Sequence, residues 1–403
     1  MSEHEDPTAS SNPDIYYRRG DYWNDLPEVV QHINNRATGT PTLNWIDYLT
    51  SIRPNGFDSV LVLNCGNGWV ERELLSSGLA RHAVGIDISE ELLEGAREAA
   101  SLAGLNADYF GMNINRSNIP GGSYDLVLNH AAGHHIANLD RVLRQVASAI
   151  EPDGLFVSWD YTGPHRNQYG ARAWEKVVEV NSQLPKDLQA DLQYPHLPTM
   201  MIDDPSEAIH SELFLEVKKR YFDFVYEKKI GGAIAYPLLT FNKKIFSAQT
   251  DYSSKYVMNI LQEDANDTDL YPGDSLFSFV IARVKDLKSI TQPLLDQWTI
   301  EEDRRESQAI TNGGLYYKPA IIGELYERIE QARVQLLTNE GHLAHQALAI
   351  QQSLALQKTF DNLAVDYQRV NEEKNAILNS RFWRYGQPIR KVVAILRRAN
   401  LKI

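Results

Sequence analysis

A glycine-rich loop followed about twenty residues later by a carboxylate is the feature of this chain best suited to bind a nucleoside. An apolar run at 60–63 leads into Cys65-Gly66-Asn67-Gly68, and a second apolar run at 83–88 carries Asp87 near its end. Glycines let the backbone approach a ligand closely, and a carboxylate at a strand end can accept both hydroxyls of a ribose. The spacing therefore predicts a nucleoside cofactor beside Gly66, Gly68 and Asp87.

The residue at position 71 indicates which nucleoside this is. A dinucleotide loop has a third glycine there, which permits tight helix packing beneath a pyrophosphate, whereas this chain has Glu71. A carboxylate beside phosphates is unfavourable, so NAD is disfavoured. S-adenosylmethionine has no phosphate and has a positively charged sulfur, so an acid near the loop is compatible with it. We predict S-adenosylmethionine as the cofactor.

Three residues could remove a proton from an alcohol that accepts a methyl group. His134 and His135 follow the fourth predicted strand, and Asp160 ends the fifth. Ligands of parallel sheets bind at this carboxyl edge, and a general base must lie within hydrogen-bond reach of its proton. All three are candidate catalytic residues. The alternatives are that the histidines are packed or solvent-facing loop residues, and that Asp160 only hydrogen-bonds the substrate.

The same histidines raise the question of a metal ion. His130 and His134 are four residues apart, which is a metal-ligand spacing on a helix, and His135 follows directly. However, His130 ends a predicted strand, and no cysteine or acidic ligand lies nearby in the sequence. We therefore predict no metal site.

The elements that must position these groups alternate between strand and helix. Gly78 ends a helix that starts near Trp69, and Ser89 and Asn138 cap two further helices. The predicted strands are 59–63, 83–88, 107–113, 124–128 and 155–159. This alternation predicts an α/β fold with a parallel sheet.

Four segments in this order resemble the class I S-adenosylmethionine-dependent methyltransferases. They are LVLNCGNGWVER at 61–72, GIDIS at 85–89, YDLVLNHAAGHHIANLD at 124–140 and IEPDGLFVSWDYTGPHRNQ at 150–168. The resemblance implies a Rossmann-like seven-stranded sheet, closed by an antiparallel hairpin of 221–228 and 276–284.

The resemblance also implies cofactor contacts. Asn113 and Ile114 would frame the adenine, and Asn129 or His130 would lie behind the methyl-bearing end. The alternative for Asn113 and Asn129 is strand capping. Many family members have an acid at the position of Val62, so Glu71 or a residue of the N-terminal segment would replace it. The full set of cofactor-contact residues is Asn64, Cys65, Gly66, Gly68, Glu71, Asp87, Ile88, Asn113, Ile114, Asn129 and His130.

A narrower resemblance concerns the acceptor. The DYTGPxRxQ pattern that begins at Asp160 and DDPSEAIHS at 203–211 resemble a bacterial subgroup associated with surface-polysaccharide synthesis. This implies O-methylation of a sugar, with Tyr161, His165 and Arg166 at the substrate. Arg166 would suit a phosphate or carboxylate, or would brace a loop. The alternatives are a catalytically silent scaffold for glycan assembly and a small-molecule methyltransferase.

Composition and pattern divide the chain into several parts. With 403 residues and 43% hydrophobic content it can form two or three units, and its single cysteine excludes an internal disulfide. The chain shows no signal peptide and no run of apolar residues long enough to span a membrane, which predicts a cytoplasmic protein. The predicted parts are an N-terminal helical lid (1–55), a methyltransferase domain (56–285) with an acceptor-region elaboration (168–275), a linker (286–319) and a helical coiled-coil with a basic tail (320–403).

Charge is concentrated at the C-terminal end. The net charge is −13, yet after Glu373 there are eight Lys and Arg and no acid. The acidic body disfavours nucleic acid, whereas the amphipathic tail at 376–403 predicts contact with the inner face of the membrane or with a glycan-assembly complex. The heptad-like spacing within 320–380 predicts homo-oligomerisation.

Overall fold

The structure is a computed structural model that describes residues 21–286, apart from 121–122, 198–199, 201–203, 205 and 249. The first twenty residues, the predicted linker beyond Asp286, the coiled coil and the basic tail lie outside the described residues. In the described part of the chain, no helix combines the length and apolarity needed to cross a membrane.

A seven-stranded sheet organises the described residues, with strand order β3-β2-β1-β4-β5-β7-β6. The strands are β1 (Phe57–Leu63), β2 (Ala80–Asp87), β3 (Ala107–Gly111), β4 (Tyr124–His130), β5 (Ile150–Tyr161), β6 (Phe222–Gly231) and β7 (Phe277–Val284). The first five are parallel, and β7 runs antiparallel between β5 and β6. This confirms the predicted Rossmann-like sheet with its antiparallel closing pair.

Helices cover both faces of this sheet. They are α1 (Pro27–Thr38), α2 (Trp45–Ile52), α3 (Trp69–Ser76), α4 (Glu90–Leu102), α5 (Leu139–Ala149), α6 (Ala171–Gln183), α7 (Phe214–Tyr221), α8 (Ala235–Leu239), α9 (Lys243–Ala248) and α10 (Asp251–Leu270). The apolar side chains of α5 and α7 form one core with the sheet. Those of α1, α2, α3 and α4 belong to a second core. A sheet buried on both faces explains the nearly continuous apolar strands.

Local sequence signals place the helix starts as predicted. The Ser89 side chain accepts a hydrogen bond from the Leu92 N–H at the start of α4, and Asn138 accepts one from the Arg141 N–H at the start of α5. One predicted turn is different. Pro152-Asp153-Gly154 lies inside β5 as an irregularity, because the pairing with β4 shifts between Tyr124 and Leu126.

Candidate functional site

A cavity of about 610 Å³ lies at the carboxyl ends of β1, β2, β4 and β5. This volume is within the usual range for small-molecule sites. The predicted site residues that line it are Asn64, Cys65, Gly66, Asp87, Ile88, Asn113, Ile114, His130, His134, His135 and Tyr161. The predicted site residues outside its lining are Gly68, Glu71, Asn129, Asp160, His165 and Arg166.

Asp87 is hydrogen-bonded to the glycine loop. One carboxylate oxygen accepts the Gly66 N–H at 2.8 Å, and the other accepts the Ser89 N–H at 2.8 Å. Burial raises the pKa of Asp87, while these N–H groups counteract the shift. Each carboxylate oxygen can accept a second hydrogen bond, so Asp87 can hold two hydroxyl groups at the cavity wall.

Mostly apolar side chains line the part of the cavity near Asp87 and the end of β3. Met112, Ile114, Ile88 and Leu92 line it together with Asn113. The Asn113 side-chain oxygen accepts the Asn115 N–H at 2.9 Å. Apolar walls with one amide suit a planar heterocycle whose edge carries both donors and acceptors. The residues present therefore fit the ribose and base of a nucleoside.

Cys65 forms part of the same wall without being a reactive thiol. Its side chain is buried, and burial together with the carboxyl groups of Glu71 and Asp87 raises the pKa of the thiol. Nucleophilic cysteines need the thiolate form at neutral pH. Cys65 therefore contributes a small side chain to the loop rather than a nucleophile.

Glu71 and Gly68 pack beneath the loop and lie outside the cavity lining, which does not favour the cofactor contacts predicted for them. Glu71 is fully buried, and a Cβ on Gly85 would lie 2.2 Å from its Oε1, so the side chain packs onto β2. Gly68 has φ +68°, and a Cβ there would lie 2.6 Å from the Tyr109 hydroxyl. Glu71 therefore cannot replace the acid missing at Val62. Among the described residues, the acids that line the cavity are Asp25, Asp87 and Glu207.

We expect Glu71→Gln to change how stability depends on pH. Burial raises the pKa of Glu71 from 4.5 to about 7. The native state therefore holds a proton that the unfolded state loses as pH rises through this window, so the stabilisation present below pH 4.5 is lost by about pH 7. Relative to the variant, the wild-type free energy of unfolding should fall by about 3 kcal/mol between those limits. Urea denaturation at several pH values measures this difference. Glu73→Gln, on the exposed side of α3, should run parallel to wild type, and parallel curves for Glu71→Gln would contradict the assignment.

Stacked aromatic rings form another wall of the cavity. His130 lies between Trp45 and Trp159, with centroid distances of 5.3 and 5.4 Å. Phe277 stacks on Trp159 at 5.2 Å, and Trp23 stacks on Phe277 at 5.4 Å. Burial lowers the pKa of His130 to about 4, so this ring is neutral at neutral pH. His130 therefore contributes an uncharged flat surface.

Asp160 lies behind the cavity and orients one of the histidines. Its carboxylate accepts hydrogen bonds from Asn129 Nδ2, from the Gly133 N–H at 2.6 Å and from the Tyr161 N–H at 2.7 Å, and it pairs with His134 Nδ1 at 2.6 Å. Burial opposes ionisation, but these partners hold the pKa of Asp160 below its usual range. Neither residue lines the cavity, which does not favour the catalytic role predicted for Asp160 or the cofactor contact predicted for Asn129. Both residues are fully buried, and Asp160, which Asn129 holds, positions His134.

The two adjacent histidines differ in protonation. Although burial favours the neutral ring, Asp160 and Glu207 raise the pKa of His134 to about 10. Burial and the neighbouring His134 charge lower the pKa of His135. A raised pKa favours the protonated ring and opposes a role for His134 as the base, so its catalytic role stays a prediction. His135 is the predicted catalytic residue that both lines the cavity and is neutral.

Arg166 braces a loop, and neither Arg166 nor His165 lines the cavity. Arg166 Nη1 donates to the Glu207 carbonyl at 3.1 Å, and the Arg166 N–H donates to the Ala208 carbonyl at 2.8 Å. Burial, with Arg166 adjacent, lowers the pKa of His165 to about 4. These contacts agree with the alternative of a bracing arginine, and the substrate role of both residues stays a prediction. Tyr161 does line the cavity, and its hydroxyl donates to the Pro164 carbonyl.

The loop that Arg166 braces contributes site residues that the sequence reasoning missed. Glu207, Ser206 and Asn167 line the cavity. The Nε2 atoms of His134 and His135 each lie 3.7 Å from Glu207 Oε2, so the acidic neighbour that the sequence lacked near the histidines is present. A sequence signal for these residues existed, because Ser206 and Glu207 belong to the segment 203–211 that the narrower resemblance singled out.

Comparisons with known proteins find similarity to methyltransferases. Residues 60–154 match the family model of a methyltransferase domain. A ubiquinone biosynthesis O-methyltransferase of Sinorhizobium fredii is 33% identical over 99 residues, which is 24% of this chain and 38% of that protein. The uncharacterized methyltransferase YcgJ of Bacillus subtilis is 28% identical over 148 residues, which is 32% of this chain and 58% of that protein. The chain thus spans less than two thirds of the length of either relative.

Solved structures are similar at a lower sequence identity. An S-adenosylmethionine-dependent methyltransferase from Mesorhizobium loti aligns with 59% of this chain and 95% of that chain, at 20% identity and a TM-score of 0.37. The segment that matches the family model, 60–154, contains the glycine loop, Asp87 and the adjacent histidines.

Proposed function

We propose that the methyltransferase domain at 60–154 makes this chain an S-adenosylmethionine-dependent methyltransferase, and that its acceptor is a sugar hydroxyl. The observation that carries the proposal is the hydrogen bond from the Gly66 N–H to the Asp87 carboxylate at the wall of the cavity. This arrangement places a carboxylate for the ribose beside a loop that a ligand can approach closely.

The residues of the cavity divide into groups by the part of the cofactor they would hold. Asp87 would bind the ribose hydroxyls, and Asn113 with Ile114 would hold the adenine. Asp25, an acid of the N-terminal segment that lines the cavity, would accept the ammonium group in place of the acid missing at Val62. When bound, S-adenosylmethionine supplies a methyl group on a positively charged sulfur. The neutral aromatic wall around His130 would keep water from that end of the cavity.

Transfer to a hydroxyl requires both alignment and removal of a proton. Most of the acceleration would come from holding the hydroxyl in line with the methyl group. The polar corner formed by His134, His135 and Glu207 is where the cavity offers groups able to take up or displace the hydroxyl proton. O-methylation is also supported by the Sinorhizobium relative, which is named as an O-methyltransferase.

A sugar acceptor is supported by the aromatic lining and by the polar corner beside it. Tyr161, Tyr236 and Phe277 offer flat surfaces for a ring, and Ser206 and Asn167 offer hydrogen bonds. A small-molecule acceptor other than a sugar would use the same groups. The silent-scaffold alternative rested on the acid missing at Val62, and Asp25 weakens that argument.

Contacts made by the C-terminal part remain proposals as well. We infer from sequence that 320–380 mediates homo-oligomerisation and that 376–403 docks on a membrane surface or on a glycan-assembly complex. A peripheral position would bring the enzyme close to surface-glycan intermediates.

Calorimetric titration of the purified protein with S-adenosylmethionine tests the proposed function, with NAD as the comparison ligand. We expect micromolar binding of S-adenosylmethionine and much weaker binding of NAD, because the loop lacks the third glycine. Sugar and sugar-nucleotide acceptors would then be screened by mass spectrometry for the gain of one methyl group. A folded protein that fails to bind S-adenosylmethionine would overturn the methyltransferase hypothesis and favour the silent-scaffold alternative.

A further inference from the structure

We propose that His134, His135 and Glu207 bind a divalent transition-metal ion at the polar corner of the cavity. The metal site is defined by side chains alone, whereas its use in activating an acceptor hydroxyl rests on the proposed methyltransferase function. The three residues come from two separate parts of the chain, the turn after β4 and the loop before α7.

The ligand atoms already converge. The Nε2 atoms of both histidines lie 3.7 Å from the same oxygen, Glu207 Oε2. One ligand atom from each of the three residues can be chosen so that all lie within 4.8 Å of one another. Metal–nitrogen and metal–oxygen bonds of about 2.0–2.2 Å require ligand atoms roughly 3.3 Å apart in a tetrahedral site. Small side-chain rotations would therefore complete the coordination.

Hydrogen bonds on the far side of each imidazole direct its Nε2 toward Glu207. His134 Nδ1 pairs with Asp160 Oδ1 at 2.6 Å, and a metal ion binding at Nε2 would displace the proton carried there, which would leave to solvent. His135 Nδ1 pairs with Ser206 Oγ at 3.0 Å, and that hydroxyl donates to Asp204 Oδ1 at 2.8 Å. Because the Ser206 proton is used on Asp204, His135 Nδ1 is the donor in its pair, which leaves Nε2 with the lone pair. Orienting partners of this kind are usual behind metal-binding histidines.

The carboxylate is held in place too. Asn167 Nδ2 donates to Glu207 Oε1 at 3.3 Å, so the oxygen that faces the histidines is Oε2. Arg166 Nη1 fixes the Glu207 backbone through its carbonyl at 3.1 Å. A ligand with few accessible conformations loses little entropy on binding a metal ion.

Charge and ligand type indicate the class of ion. The carboxylates of Asp160 and Glu207 flank the two imidazoles, and a dication would balance them. Two nitrogen ligands and one oxygen ligand favour Zn²⁺ or Co²⁺ over Mg²⁺ and Ca²⁺, which prefer oxygen. Three protein ligands leave at least one coordination position for an oxygen atom of the acceptor. Coordination would lower the pKa of that hydroxyl, so its proton could leave to solvent before the oxygen takes the methyl group.

The experiment is calorimetric titration of the full chain, freed of any purification tag and stripped with a chelator, with Zn²⁺ and separately with Mg²⁺. Bound metal is counted by elemental analysis, and Co²⁺ serves as a coloured probe of imidazole coordination. We expect one Zn²⁺ per chain and much weaker Mg²⁺ binding. Glu207→Gln and His135→Ala should each weaken Zn²⁺ binding about tenfold or more. His82→Ala, which removes a histidine paired with an exposed carboxylate outside the cavity, should leave it unchanged.

Either of two results would overturn the proposal: no Zn²⁺ binding by folded wild-type protein, or equal binding by wild type and both ligand variants. S-adenosylmethionine binding is measured on the same samples, so the two proposals can be separated. Glu207→Gln should retain cofactor binding, and Asp87→Ala should retain the metal. A protein that binds Zn²⁺ at this site but no S-adenosylmethionine would sink the proposed function and leave the metal site standing.

Discussion

Replacing Asp87 with alanine is expected to weaken S-adenosylmethionine binding by about 100-fold, because two hydrogen bonds from the ribose to a carboxylate are lost. The loop should be affected as well, since the Gly66 N–H loses the acceptor it now contacts at 2.8 Å. Asp87→Asn keeps one acceptor oxygen and the shape of the side chain, so its binding should fall between wild type and alanine. Calorimetry gives the Kd of each variant.

The matched control is Asp108→Ala. Asp108 lies on the neighbouring strand β3 and pairs with His82 at the surface, outside the cavity. Its Kd should equal that of wild type. Thermal unfolding of all variants verifies that each is folded. A Kd for folded Asp87→Ala within about threefold of wild type would reject the ribose contact, since such a change is below 1 kcal/mol.

Among the substitutions proposed for this protein, Asp160→Asn should produce the largest loss of stability, about 3–5 kcal/mol in the free energy of unfolding. The carboxylate accepts from Asn129 and Gly133 and faces His134, and it is fully buried. An amide would turn its NH₂ group toward one of these donors and would leave the His134 imidazole without its counter-ion. Urea denaturation at neutral pH measures the change.

Asp153→Asn provides the control on the same strand, because Asp153 is exposed. It should change stability by no more than about 0.5 kcal/mol. Methyl transfer by Asp160→Asn should fall even below the unfolding temperature, since His134 would lose the partner that orients it. If Asp160→Asn costs less than about 1 kcal/mol, the carboxylate does not organise this cluster.

The cofactor half of the cavity was accessible to sequence reasoning because it depends on local order. The glycine loop directly follows β1, Asp87 ends β2, and Asn113 follows β3. Parallel strands end at the same edge of a sheet, so residues at those ends meet whatever the details of the packing. The apolar runs therefore predicted that these groups would meet at one edge of the sheet, where Gly66, Asp87 and Asn113 line one cavity.

Side-chain direction was harder to infer. Neighbouring strand residues face opposite sides, so Asn129 and His130 cannot both face the cavity, and neither can Asp160 and Tyr161. The structure directs His130 and Tyr161 into the cavity, while Asn129 and Asp160 are buried behind it. Glu71 presented the same problem on a helix, where the rotation of α3 against β2 decides which side chains reach the loop surface.

By itself, the sequence determined the fold class, the position of the glycine loop and the placement of Asp87, because strand periodicity and turn residues act over short stretches of chain. Only the tertiary structure decided the chemistry of the polar corner. Glu207 and Ser206 are about seventy residues away from the histidines along the chain, and the bracing by Arg166 and Asn167 brings them together. Contacts over such separations depend on how the loop packs on the sheet, which no local pattern specifies. The protonation of His134 and His135 follows from the same packing, since burial and neighbouring charges set it.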